Sequence, residues 1–471
     1  MLDQSFSAHN FEVIFTLENR KGHVDITTMS QHYQDVVSEI KSTKSQINKI
    51  NKKKKSDRTP EVLVTKNILE DQLKELKKAK IETLTEDMES VANIVNSPAF
   101  TFEIDKHYYE GKEEFTLRDT RASYYAMKQL MHNMKRTFKI EMPGRHQIMT
   151  SIKPLLNMSM PIYILRTDIS SFFESIPQEV LLQKIYDNNL LSFKSKSLIK
   201  QIFYTYEKNK DTSITPAGIG VPRGIGVSSM LSEIYMQDID QMFKSRTGVI
   251  FYVRYVDDIF MILTSLDSFA SLNDYYRDMR RVLKVKGLEL KPIGSDKCHL
   301  IEYRPDALSP TSFDYLGYKL NLSKPKKELI TTFSLSDKKI QKLNERIEKS
   351  FKHFETLSKK DVKAARRDLL DSLYYITGNF RLSNSKSHAK VGLYYSNDLI
   401  DDSSEFDQFT KKLHSHPINP YAGLFANTIE KHRFIDALQK RIMKIDFKHC
   451  WEARKMYDFP LVRIKEISSW L

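Results

Sequence analysis

VIFYVRYVDDIFMIL, at residues 249–263, sets two adjacent carboxylates between two runs of β-forming residues. Val249, Phe251, Val253 and Tyr255 alternate with Ile250, Tyr252, Arg254 and Val256, the period of two that marks a strand. A second β-rich run, 259–263, follows at once. The break at Asp257-Asp258 predicts a hairpin with both carboxylates at its tip. Aspartate is a poor strand former and costs free energy beside a core unless its charge is compensated. Two of them between apolar strands point to a bound cation. For the dipeptide alone a solvated turn is the better explanation, and a third acid upstream shifts the balance.

That acid lies in PIYILRTDISSFFESIP, residues 161–177. Ile162 and Ile164 fall on one face of a strand and Tyr163 and Leu165 on the other, so the strand is expected to be buried on both sides and to end at Asp168. Between the two acidic stretches runs GIGVPRGIGVSSMLSEIYMQDIDQMF, residues 218–243. Its glycines straddle Pro222-Arg223, and a helix is expected from Ser228-Ser229, with Leu231, Ile234, Tyr235, Ile239 and Met242 on one face. A glycine-rich loop lets the backbone approach a flat or phosphate-bearing ligand, but neither a P-loop nor a dinucleotide fingerprint is present.

The remaining chain reads as support. At 471 residues it can bury a large core in two or three domains. Lys+Arg 74 against Asp+Glu 60 gives +14, an excess that favours an anionic partner. Cys298 and Cys450 are too few for a disulfide framework. Cys298-His299 and His449-Cys450 lack zinc-ligand spacing and read as structural. No run is long and apolar enough for a membrane span, and the start is not that of a signal peptide, so a cytoplasmic protein without a membrane partner is expected.

Residues 30–96 carry two amphipathic stretches around the break NKKKKSDRTP (51–60), which predicts an antiparallel helical hairpin with a basic tip. The lysines there suit either a solvated turn or a phosphate contact. Residues 137–141, followed by Pro143-Gly144, predict a strand–turn–strand. Its Lys139 and Arg145 are candidates to meet a triphosphate, or are ordinary hairpin charges. Residues 313–318, FDYLGY, read as another strand pair, and from 334 onward the pattern is mainly helical and basic.

Two divalent ions held by carboxylates from separate strands of one sheet are what nucleotide polymerisation requires. Asp168 at a strand end and Asp257-Asp258 at a hairpin tip meet that requirement in the right order. With those residues in view the chain resembles the reverse transcriptases. ILRTDISSFF resembles the first palm motif, GVPRGIGVSSMLSEIYM the second and YVDD the third. FDYLGY resembles the primer grip, and FKIEMPGRHQI the fingers strand. The resemblance implies an α+β right-hand polymerase of fingers, palm and thumb, with an N-terminal helical hairpin and a mainly α C-terminal region. Its parts would be an extension at 1–99, fingers and palm at 100–330, and a thumb with C-terminal region at 331–471.

It also implies that Asp168, Ile169, Asp257 and Asp258 hold two Mg²⁺ ions, for which Mn²⁺ can substitute. Lys297 would give a proton to pyrophosphate, and Lys139, Arg145, Phe173, Arg223 and Gly224 would contact the dNTP. Phe173 would be the gate that excludes a ribose 2′-hydroxyl. One departure stands out: the usual Pro-Gln-Gly is here Pro222-Arg223-Gly224, a longer and permanently charged fork in place of an amide.

DQSFS near the start, ITGNFRLSN and VGLYYSN resemble the prokaryotic defence-associated group, its type 3 systems above all, with retron and abortive-infection enzymes as near neighbours. That implies antiphage defence, a structured non-coding RNA as template or scaffold, a DNA product, and a second reverse transcriptase or a second copy of the chain as partner. Two rivals stay open: an RNA-dependent RNA polymerase, which shares the acids but needs room where Phe173 sits, and a catalytically silent RNA-binding scaffold.

Overall fold

A computed structural model describes residues 3–21, 23–52, 59–109, 111–157, 160–303, 311–323, 330–382 and 389–471. The chain separates into two compact units, one of residues 1–142 and 165–300, the other of 143–164 and 301–471.

The first unit begins with α1 (Ala8–Lys21), α2 (Gln31–Lys52) and α3 (Pro60–Asn96). α2 and α3 pack on each other as the helical hairpin expected, with Val36, Val37, Ile40 and Ile47 buried on α2. On α3 only the C-terminal part is covered, through Met88, Val91, Ala92 and Val95. Ile68 and Ile81, apolar residues of the second amphipathic stretch, are 63% and 65% exposed. The basic tip at 53–58 lies outside the described residues.

DQSFS braces this unit. Asp3 accepts from the backbone and hydroxyl of Ser5 and from Asn10, and Gln4 donates to the Leu190 carbonyl and accepts from the Ser192 N–H at 2.7 Å. β1 (Ile104–Tyr109) and β2 (Lys112–Leu117) form an antiparallel hairpin, and α4 (Arg121–Thr137), capped by Thr120, follows.

The strand expected at 137–141 is absent. α4 runs through Thr137, Lys139 turns the backbone with φ 51, and α5 (Arg145–Leu155) starts directly after Gly144. Ile148, Met149 and Ile152 are buried at helical, not alternating, spacing, which decides the matter. Lys139 belongs to the first unit and Arg145 to the second, on a loop and on a helix, instead of on one hairpin.

The sheet follows: β3 (Ile162–Ser170), α6 (Phe172–Ser175), α7 (Gln178–Asp187), α8 (Phe193–Asn209), α9 (Ser228–Lys244), β4 (Val249–Tyr255), β5 (Asp258–Leu263), α10 (Leu272–Val285), β6 (Glu289–Leu290) and β7 (His299–Tyr303). Its five strands run β4-β5-β3-β6, with β7 also paired to β3. β3 is buried on both faces, as its composition requires, but continues two residues past Asp168. α9 packs on β4 and α7, and its N-cap is Val227; Ser228 instead hydrogen-bonds the Pro222 carbonyl.

In the second unit β8 (Thr311–Tyr315), β9 (Tyr318–Ser323) and β10 (Ile330–Leu335) form a meander in the order β10-β9-β8. Leu316-Gly317, both at positive φ, is the two-residue turn whose twist suits a hairpin. α11 (Asp337–Ser358) and α12 (Val362–Thr377), capped by Ser336 and Asp361, pack on each other. The ribbon β11 (Asn379–Arg381) and β12 (Lys390–Gly392) comes next, then α13 (Ser404–Ser415), α14 (Thr428–Ile442), α15 (Phe447–Glu452) and α16 (Leu461–Trp470). VGLYYSN closes this region: Asn379 accepts from the Tyr394 N–H at 2.9 Å, and Asn397 bonds both the Leu393 carbonyl and Lys339. Among the described residues no helix is long and apolar enough to cross a membrane. Both cysteines are buried and free.

Glu18 on α1 is the electrostatic tie of the N-terminal helices. Its carboxylate meets Lys128 of α4 at 2.8 Å, Lys21 at 2.8 Å and His23 at 3.2 Å, with 7% of the side chain exposed. Burial pushes its carboxyl up, but the hydrogen bonds from Lys128, Lys21 and His23 outweigh this and hold it at about 2, against an ordinary 4.5. A depressed acid stabilises the fold above its unfolded value and stops doing so as pH falls through the folded one. Glu18→Gln is therefore expected to cost about 3 kcal/mol near neutral pH and to flatten the loss of stability between about pH 4.5 and pH 2, read by urea unfolding across a pH series.

Candidate active site

The hairpin of β4 and β5 turns one residue earlier than expected. Tyr255 pairs with Asp258, so the two turn residues are Val256 and Asp257, and Asp258 already belongs to β5. Val256 takes φ 61, a conformation that costs a β-branched residue on the order of 1–3 kcal/mol. Two bonds hold it there. Arg254 donates through Nη1 to the Val256 carbonyl at 2.7 Å, and the Asp257 carbonyl accepts from the Ile169 N–H of β3 at 2.9 Å.

Arg254 can do this because it is itself fixed. It is 7% exposed and forks between two acids of α9, Glu233 at 2.6–2.9 Å and Asp240 at 2.8–3.2 Å. Tyr252 adds a hydrogen bond to Asp240 at 2.6 Å. The turn that carries Asp257 is thus anchored to the helix behind the sheet.

Asp168 and Asp258 meet on adjacent strands. Arg166 lies between them, with Nη2 at 2.7 Å from Asp258 and 3.4 Å from Asp168 and Nη1 at 3.3 Å from the Asp296 carbonyl. Lys297 reaches Asp168 from the other side at 2.9 Å and is 43% exposed. The acids titrate apart. Burial, then the hydrogen bond with Asp168, pushes Asp258 up to about 7. Asp168 stays below the usual carboxylate range: burial opposes this, but bonds with Asp258 and Lys297 prevail. Asp257 is raised by burial and by the Asp168 charge. Among the described residues no three carboxylate, histidine or cysteine groups converge closely enough to enclose a metal. Two carboxylates meet, the third stands on the adjoining turn, and two cations share the space.

Beside the acids, Ser171 at φ 44 leads into the single turn of α6, which bears Phe173 and Glu174. Arg223 grips Glu174 with two bonds, 2.8 and 3.1 Å, and lies 5.3 Å from the centre of the Phe173 ring. Gly224 passes so close to β2 that a Cβ would stand 2.5 Å from the Phe115 carbonyl. Position 224 therefore has to be glycine for the loop to lie against the hairpin. A cavity of about 510 Å³ adjoins, lined by Phe115, Glu174, Tyr206, Val221 and Arg223 among others.

Asp168, Ile169, Asp257, Asp258 and Lys297 thus come together, with Phe173, Arg223 and Gly224 in a second group, whereas Lys139 and Arg145 share no element. Sequence reading missed Arg166, Arg254 and Glu174. The signal for the two arginines was present: each is a positive charge within a strand of mostly apolar residues, and such a charge is tolerated only when paired.

The raised Asp258 carries a consequence. An acid whose pKa rises on folding makes the folded state bind a proton that the unfolded chain releases, so stability falls as pH climbs from about 4 to about 7. Asp258→Asn removes that burden. In chelator-treated protein at about pH 8 it is expected to raise the melting temperature, and a calorimetric pH series on both proteins checks it.

Residues 115–320 match the family model described as reverse transcriptase (RNA-dependent DNA polymerase). No curated protein matches in sequence. Similar solved structures include apo telomerase from Candida tropicalis, at 11% identity and TM-score 0.36, covering 79% of this chain and 66% of that one. Another is Candida albicans telomerase in complex with a fragment of telomeric RNA, at 12% and 0.33, covering 80% and 62%. A C. tropicalis telomerase truncated from its C-terminal domain gives 14% and 0.34, covering 58% and 71%. The match to reverse transcriptase (RNA-dependent DNA polymerase) spans Asp168, Phe173, Arg223, Asp257, Asp258 and Lys297, the residues just described, and supports RNA-directed DNA polymerase as the enzyme class.

Proposed function

We propose that the chain extends a primer 3′-hydroxyl with dNTPs on an RNA template, using Asp168, Asp257 and Asp258 with the Ile169 carbonyl to hold two Mg²⁺ ions. The observation that carries this is the meeting of Asp168 and Asp258 on neighbouring strands with Asp257 on the adjoining turn. The donors are all oxygen, the set that Mg²⁺ prefers. Burial first, and then the neighbouring Asp168, push Asp257 and Asp258 up, a cost that a divalent ion bound between them would relieve. Bound there, the ions would lower the pKa of the attacking hydroxyl and neutralise the departing pyrophosphate.

The chain's own residues do the rest. Lys297, half-exposed and kept protonated by Asp168, offers a proton to the leaving oxygen. Phe173 closes the space where a ribose 2′-hydroxyl would lie. Gly224 keeps the loop flat against β2. The hairpin on which a joint triphosphate role for Lys139 and Arg145 rested is missing, so this reading leaves them out.

On this reading residues 1–99 are an extension, 100–330 fingers and palm, and 331–471 thumb and C-terminal region. Lys41, Lys44, Lys49 and Lys52 line one groove of α2 without an ion-pair partner among the described residues, and their charge suits an RNA backbone. The resemblance of DQSFS, ITGNFRLSN and VGLYYSN to the defence-associated group supports a dedicated structured RNA and a role against phage, with a second reverse transcriptase or a second copy as partner.

Asp257→Asn is expected to abolish dNTP incorporation while leaving RNA affinity within about twofold, since it removes a ligand and not the phosphate-binding surface. Wild-type protein that makes no product from RNA, dNTPs and Mg²⁺ would instead mark a silent RNA-binding scaffold. Phe173→Ala is expected to raise ribonucleotide incorporation about tenfold or more in single-nucleotide extension. An unchanged preference would remove Phe173 as the gate and reopen RNA synthesis.

A further inference from the structure

We infer that Arg223 sets sugar discrimination in this enzyme by fixing the Phe173 ring through its ion pair with Glu174, an assignment that rests on Phe173 being the gate. α6, which carries both residues, has only four residues. A single helical turn fixes several dihedrals for little hydrogen bonding and has scant rigidity of its own. Its orientation has to come from its neighbours.

Three neighbours supply it. The Val221 N–H donates to the Phe173 carbonyl at 2.8 Å and the Gly220 N–H to the Ile176 carbonyl at 2.7 Å, which fasten the backbone of α6 to the glycine loop. Phe172 is buried, with the Arg254 guanidinium 5.7 Å from its ring centre. The Phe172 ring lies 5.5 Å from the Phe173 ring, tilted by 49°, but both belong to the same single turn, so this contact ties nothing outside α6 to the half-buried Phe173 ring.

Arg223 lies against it. Its guanidinium is 5.3 Å from the ring centre, within cation–π range, while Nε and Nη2 engage both oxygens of Glu174. The two side chains are 25% and 21% exposed, so the pair is sheltered from full solvent screening. The root of Arg223 is fixed as well, because its carbonyl accepts from the Phe115 N–H at 2.7 Å and Gly224 allows that approach. Arg223 is therefore a strut from β2 to the gate, attached to the backbone at one end and to α6 at the other. A neutral amide at 223 can supply neither the two-pronged pair nor the charge over the ring. Arg223 is a positioning residue: it acts through Phe173 and not on the nucleotide.

The test measures kcat/KM for one dNTP and its rNTP on a fixed primer–template, for wild type, Arg223→Gln, Glu174→Gln, Phe173→Ala and Phe173→Ala/Arg223→Gln. Arg223→Gln and Glu174→Gln are each expected to lower the dNTP/rNTP ratio about tenfold, chiefly through a lower KM for the rNTP, and Glu174→Gln is expected to keep kcat for the dNTP within about twofold. In the Phe173→Ala background Arg223→Gln is expected to change the ratio no further, because the ring it acts through is gone. Should Arg223→Gln lose incorporation, Glu174→Gln reads the same ratio with the arginine in place.

An unchanged ratio in both single variants, with Phe173→Ala lowering it, overturns the strut while the gate stands. An equal drop for Arg223→Gln with and without the phenylalanine also overturns it, since Arg223 would then act on the nucleotide directly. An unchanged ratio in Phe173→Ala removes the gate, and the strut with it.

Discussion

Like charges held together inside a protein repel, and much of the first unit answers that repulsion. Asp168 and Asp258 sit side by side on β3 and β5, largely out of water, with Asp257 on the next turn. Coulomb's law makes such crowding costly wherever the local dielectric is low. Arg166 rises between two of the acids from within β3, and Lys297 approaches from the solvent side. One of these countercharges is permanent and buried; the other is half in water and free to be displaced. That asymmetry suits a centre that needs a resident cation for folding and a replaceable one for work.

A second buried arginine solves a different problem in the same sheet. Arg254 compensates no acid of the candidate site. It engages Glu233 and Asp240 of α9 and uses a remaining N–H on the carbonyl of Val256. Burying an arginine with two carboxylates is favourable only when its hydrogen-bond geometry is nearly complete, and here all three nitrogens are used. The cost of the charge is met by the helix, and its benefit appears at the turn.

Much of this was legible beforehand. The period of two, the order of the acids and the glycine loop fix the β4–β5 hairpin, the doubly buried β3 and the helix after the loop. They locate Asp168, Asp257 and Asp258 without coordinates, whereas Phe173 was singled out only by the resemblance. Three things were hidden. The turn came one residue early because alternation sets which residues are strands but not which backbone dihedrals a turn adopts, and Val256 at positive φ is the choice local propensity argues against. α5 was mistaken for a strand because Pro143-Gly144 reads equally as a hairpin turn and as the lead-in to a helix. Arg166 and Arg254 stand out as charges within strands, but their main partners, Asp258 for the one and Glu233 and Asp240 for the other, lie on other elements, and the pairing of Glu174 with Arg223 across 49 residues leaves no local pattern at all. DQSFS and VGLYYSN were noticed for likeness alone; their hydrogen bonds show them to be braces of the N-terminal helices and of the β11–β12 ribbon.

The turn at Val256 has one more consequence, best put in mechanical terms. A hairpin tip is ordinarily the most compliant part of a sheet, yet this one is pinned on both sides: to Arg254 on its own strand, and to Ile169 on the neighbouring one. Moving Asp257 requires stretching both bonds together while Val256 stays in a narrow dihedral well. The tip thus behaves as a stiff bracket with small thermal excursions. On the proposed reading, where reacting atoms must meet within a fraction of an ångström and an error of about 1 Å can cost a hundredfold in rate, low compliance at that point would itself contribute to catalysis.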